Sequence, residues 1–139
     1  MARSEFDLDW KRAATSLSAL IRRSNDNRWA CFSDQKTKKF VHFDFDKDDG
    51  LLLYIPQEQL DQNAMNRATS YFAQFGINPA VEPFYSSHED FEKEMPTGTR
   101  VVFSMPLHHD VRRATWIAFE IFDAIHQLPE SFDLLVEEN

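Results

Sequence analysis

Apolar residues recur along this chain in two periods, and the switches between them predict its elements. From about residue 9 to 24, Trp10, Ala13, Ala14, Leu17, Leu20 and Ile21 fall at helical spacing and form one apolar stripe. Asp7 or Asp9 suits its N-cap, Arg22 and Arg23 suit the negative end of its dipole, and Ser24 to Asn27 is a polar stop. The period then shortens to two. Strands are predicted at about 28–33 and 39–46, the second with Val41, Phe43 and Phe45 on one side and Phe40, His42 and Asp44 on the other. Lys47-Asp48-Asp49-Gly50 is a turn signal, and Leu51 to Ile55 is a third strand.

Helical spacing returns at about 57–75, where Leu60, Ala64, Ala68, Tyr71, Phe72 and Phe75 share a stripe that ends at Gly76. A fourth strand is predicted at about 81–86, and Pro83 inside it implies an edge or a bulge. The acidic connection from Ser87 to Thr99 allows one turn of helix capped by Ser87, with Phe91 pointing inward. A fifth strand, 100–105, is bounded by Pro106, and a last helix runs from about 110 to 128. Phe132 to Val136 is a short apolar tail, an edge strand or a coil. The order α-β-β-β-α-β-β-α predicts one α+β domain over residues 1–139. Its antiparallel sheet has about five strands, with three helices. Trp10, Leu17, Phe43, Leu53, Phe72, Ile121 and Ile125 are the predicted core.

Strand 51–55 poses the sharper question. It is apolar at every position, which implies a central strand covered on both faces. Leu51, Leu53 and Ile55 must face one side, and Leu52 and Tyr54 the other. Helices divided between the two faces would cover both sets. Helices gathered on one face would leave Phe40, Leu52 and Tyr54 on an uncovered surface, the candidate protein-binding or dimer interface.

Composition narrows the function classes. Thirteen phenylalanines in 139 residues argue for packing, and three glycines leave no Gly-rich phosphate loop. A net charge of −8 disfavours nucleic acid as a partner. The charge is uneven. Residues 10–40 carry a net +6 and the remainder −14, an asymmetry that fits a complementary partner, a second copy of the chain, or two solvated faces. No apolar run has membrane-spanning length and the N-terminus lacks a signal-peptide pattern, so a cytoplasmic protein with a reduced Cys31 is expected, with no membrane partner.

The candidate chemistry is sparse. Asp44 to Gly50 alternates acidic residues like a calcium loop, but Asp49 and Ile55 stand where glycine and glutamate are required. His108-His109-Asp110, with His88 and Glu89, is a possible metal or ligand site, although adjacent histidines on one element point apart. The placement before a helix suits Asp110 as an N-cap and leaves the histidines on a surface loop. There is no nucleophile elbow and no cysteine-protease signature. No cofactor, metal or catalytic residue is predicted.

With the element order in hand, the chain resembles the type III secretion chaperone-like group, including the YbjN-like and TY-Chap families. The likeness is carried by the topology, by the Phe75-Gly76-Ile77 step after the second helix, and by an Ala- and Ile-rich last helix closing on Leu128-Pro129. The resemblance implies a small acidic cytoplasmic protein, often a homodimer, that binds another polypeptide. A non-enzymatic protein-binding domain, chaperone-like or regulatory, is therefore the leading expectation. The rivals are a metal- or ligand-binding enzyme domain around His108 and His109, and an acidic antagonist of a basic partner protein.

Overall fold

A computed structural model describes residues 7–23 and 28–139; the polar stop predicted at Ser24 to Asn27 lies outside the described residues. Helix α1 spans Leu8–Arg23. Its cap is Asp7, whose carboxylate accepts from the Asp9 N–H at 2.8 Å. Three strands follow as a meander: β1 (Arg28–Asp34), β2 (Phe40–Asp46) and β3 (Gly50–Pro56). The acidic turn between β2 and β3 is held by the Asp46 carboxylate, which accepts from the N–H groups of Asp48 (2.7 Å) and Asp49 (3.2 Å). Gly50 closes it at φ +88°, and a Cβ there would meet the His108 backbone at 2.4 Å. The segment that imitates a calcium loop is thus a turn satisfied by its own carboxylate.

The second helix is shorter than the periodicity predicts. Gln57–Gln59 forms a 3-10 turn, Leu60 is extended, and Asp61 then caps α2 (Gln62–Ala73) by accepting from Ala64 N–H at 2.8 Å. Strand β4 is Ala80–Phe84, and a short helix α3 (His88–Glu92) starts at the Ser87 cap. Strand β5 runs from Gly98 to His108, through the Pro106 expected to end it. Proline is tolerated there because β4 pairs only with Gly98 to Val102, so the far half of β5 has a free edge and no ladder bond to lose. Helix α4 (Val111–Ala124) begins at Asp110, whose carboxylate accepts from Arg113 N–H at 3.1 Å. The tail is a strand, β6 (Leu134–Glu138).

The protein is α+β; the described residues form six antiparallel strands in the order β4-β5-β3-β2-β1-β6 and four α-helices. The short α3 starts at the Ser87 cap that the sequence allows, and β6 is the edge-strand reading of the tail; the two lie beyond the five strands and three helices of the expected order. Strand β4, with Pro83, is the other edge. All seven predicted core residues are buried, with Leu17, Phe43, Leu53, Phe72, Ile121 and Ile125 at 2% exposure or less.

Helices α1, α2 and α4 pack on one face of the sheet. Phe72 of α2 stacks on Phe103 of β5 at 4.9 Å, and Trp10 of α1 meets Trp116 of α4 at 6.0 Å. The core cluster takes its sheet residues from one parity: Ala30 and Phe32, Val41, Phe43 and Phe45, Leu51, Leu53 and Ile55, Phe103, Met105 and Leu107. The expectation that β3 is covered on both faces is therefore corrected. It is central in the sheet, but among the described residues α1, α2 and α4 cover only one side of it.

Edge strand β6 accounts for part of the basic N-terminal stretch. Arg12 donates to the Leu134 carbonyl at 3.4 Å, Arg23 lies 3.7 Å from the Glu138 carboxylate, and Ser16 donates to that same carboxylate. Arg28 donates to the carbonyl of Asn139. Some of the charge asymmetry is thus complementarity within the chain.

Candidate interaction surface

Strand register arranges the residues of the uncovered face in cross-strand rows. One row is Glu137, Cys31, His42, Tyr54 and Ser104, crossing β6, β1, β2, β3 and β5. On one side of it lie Trp29, Asp44, Leu52 and Pro106. On the other lie Leu135, Ser33 and Phe40, continued by Pro56, Val102 and Ala80. Val102 is buried yet stands outside the main core cluster, as its place on the opposite face requires.

Phe40, Leu52 and Tyr54, the predicted interface residues, thus fall on one face in three adjacent rows. Each is half-buried. Sequence reasoning missed their neighbours. The Trp29 ring stacks on His42 at 5.8 Å and 27°, and His42 meets Tyr54 edge-on at 6.4 Å. These rings form a flat aromatic run across three strands. The alternation of Arg28 to Ser33 was the available signal for Trp29 and Cys31.

One end of the run is clamped. The Tyr54 hydroxyl donates to Glu82 and accepts from Arg100, and Arg100 Nε donates to Glu82 at 2.9 Å. Glu58 lies 3.4 Å from the same guanidinium. The guanidinium carbon sits 5.6 Å from the ring centroids of both Tyr54 and Phe84. Burial, reinforced by the Glu82 carboxylate, holds the Tyr54 phenol above its ordinary pKa. The same row ends at β6 in the Glu137 carboxylate, and Asp44, between Trp29 and Leu52 in the neighbouring row, lies 2.9 Å from His42 Nε2. A cleft of about 720 Å³ adjoins the face where Asp44, Leu52 and Pro106 approach Gly50 and His108.

Burial, followed by the charge of Glu137, pushes the Cys31 thiol up to about 11, so it is protonated and a poor nucleophile near neutral pH. The histidine constellation does not converge. His108 is exposed at φ +52°, and His109 is edge-on to Phe45 at 6.0 Å. His88 pairs with Glu92 at 2.9 Å beyond the opposite end of β5, about 30 Å of strand away. Among the described residues, no group of three or more His, Cys, Asp or Glu could hold a metal ion. No helix among them is long and apolar enough to cross a membrane.

Set against protein-family models, curated proteins and solved structures, the chain matches none of them.

Proposed function

We propose that the chain is a non-enzymatic protein-binding domain, chaperone-like or regulatory, whose recognition surface is the uncovered sheet face, and that it self-associates there as a homodimer. The observation that carries this reading is the placement of α1, α2 and α4 on one side of the sheet, which leaves the Trp29–His42–Tyr54 run, Phe40 and Leu52 half-buried with none of these helices over them. A half-buried aromatic surface with a charged rim has the composition of an interface core and its border. The element order, which resembles that of the type III secretion chaperone-like group, supports the same reading by analogy.

The energetics favour a weak complex. Covering on the order of 300 Å² of apolar surface on each copy yields roughly 15 kcal/mol gross. Most of that is offset by lost translational and rotational freedom and by ordered side chains. Light scattering across the micromolar range should give a mass approaching twice 16.3 kDa as concentration rises. Leu52→Asp, which places a charge in the middle of the face, should return the mass to that of one chain without loss of folded structure. A single-chain mass at every concentration removes the dimer.

A further inference from the structure

Among the described residues, five large apolar side chains are exposed, and four of them, Val81, Phe84, Phe91 and Met95, belong to β4, α3 and the segment that follows. Phe91 was expected to point inward, but it is 59% exposed and Met95 62%. The five-residue helix lies in the connection from edge strand β4 to β5, and none of its residues is buried.

This exposure belongs to a folded arm. Ser87 accepts from Asp90 N–H at 3.1 Å, Met95 N–H donates to the Asp90 carbonyl at 2.9 Å, and Thr97 N–H donates to the Phe84 carbonyl at 2.9 Å. Lys93 pairs with Glu89 at 2.6 Å. Tyr85 and Phe91 pack edge-on at 5.3 Å, and with Phe84 they line a cleft of about 630 Å³. The arm therefore presents apolar groups in a fixed arrangement at the sheet edge. Pro83 on that edge strand lacks the N–H that an added strand would use, so side chains rather than backbone pairing must make the contact.

Charge identifies the occupant. Residues 85–97 contain Glu89, Asp90, Glu92 and Glu94 against Lys93 alone, a net of −3. With Lys93 held by Glu89, the rim of the apolar patch is acidic. A second copy is a poor match for such a rim, because its net charge is −8 and, in its basic stretch, Arg12, Arg23, Arg28 and Lys39 are already engaged within their own chain. We infer that the β4–α3 arm docks a cationic amphipathic segment of a partner polypeptide, its apolar side chains against Phe84, Phe91 and Met95 and its Lys or Arg residues against the surrounding carboxylates. This rests on the reading of the chain as a protein-binding domain and adds the partner's chemistry and a second site at the β4 edge, which adjoins the proposed dimer face through Glu82 and Arg100.

The test is a fluorescence-anisotropy titration of the full chain with a labelled Lys/Leu amphipathic peptide of about 16 residues. An all-Lys peptide and a Glu/Leu peptide serve as controls. The Lys/Leu peptide should bind and weaken as salt rises from about 0.05 to 0.5 M. The Glu/Leu peptide should not bind, and the all-Lys peptide should bind at least about tenfold more weakly than Lys/Leu. The double variant Phe91→Ser/Met95→Ser, on exposed positions and checked by circular dichroism, should lose about tenfold or more in affinity, while Leu52→Asp should bind as the parent does. Equal affinity of the Phe91/Met95 variant, equal binding of the all-Lys peptide, or no binding of Lys/Leu overturns the inference. Peptide binding abolished by Leu52→Asp but untouched by the arm variant moves the site to the sheet face, overturning this inference and leaving the first reading standing. A monomeric chain that still binds through Phe91 and Met95 ends the dimer and retains the arm.

Discussion

The two faces of this sheet are made from alternate residues of the same strands, yet they are built differently. Under the helices, Phe32, Phe43, Leu53 and Phe103 are fully enclosed by their own chain. One residue away on each strand, Cys31, His42, Tyr54 and Ser104 are only half-buried and are interleaved with ion pairs and hydrogen bonds. The first face has the composition of a core. The second mixes aromatic rings, a clamped guanidinium and the carboxylates of Asp44 and Glu137, the mixture that the proposed interface would use. Burial within the chain and availability to a partner are thus separated by strand parity alone.

Truncation should expose that difference most strongly. Phe72→Ala or Phe43→Ala removes a fully enclosed ring and should cost about 3–5 kcal/mol in chemical denaturation. A cost near zero would show that the helix face is not the core. Gly50→Ala acts on both faces at once, because its Cβ collides with the backbone of β5 and its φ is positive. A loss of about 2–4 kcal/mol is expected, together with weaker self-association.

His126 sharpens the comparison through pH. Its Nε2 donates to the Phe40 carbonyl at 3.1 Å, and its buried Nδ1 has no hydrogen-bond partner. Burial is the main cause that lowers its pKa from 6.5 to about 4. The neutral ring is favoured by the fold, so its contribution is complete above about pH 6.5 and is lost as pH falls toward 4, a change of about 2–3 kcal/mol. Denaturant midpoints measured from pH 7 to 4 should fall less steeply in His126→Gln than in the parent. Parallel curves would remove His126 as a source of acid sensitivity. The smallest stability effect is expected on the uncovered face, where Leu52→Asp should cost under about 1 kcal/mol in the isolated chain. A core-sized loss there would mean that the face is packed from within.

Much of this architecture was legible in the pattern of apolar positions. Stripes long enough to reveal their period located α1, α2, α4 and the β1–β3 meander, and Pro83 marked β4 as an edge. Parity placed Phe40, Leu52 and Tyr54 together before any register was known. Local periodicity could not say on which side of the sheet the helices would gather, since a strand apolar at every position is compatible with either arrangement. Arg100 and Glu82 could not be joined to Tyr54, because that cluster depends on β5 inserting between β3 and β4. Phe91 misled because an aromatic residue in a short amphipathic turn looks inward-facing unless the distance to the core is known. Pro106 misled because the free half-edge of β5 is a property of the neighbouring strand.

The central claim, that the uncovered face is where two copies meet, is read most directly at Cys31. It is the chain's single cysteine and lies in the middle row of that face. Its alkylation rate, followed by intact mass at fixed pH, reports cover at that place, whereas a molecular mass reports only that copies associate. The rate should fall severalfold as protein concentration rises through the range in which the mass increases, and Leu52→Asp should abolish that dependence. A rate that stays constant while the mass doubles would place the interface elsewhere and contradict the account.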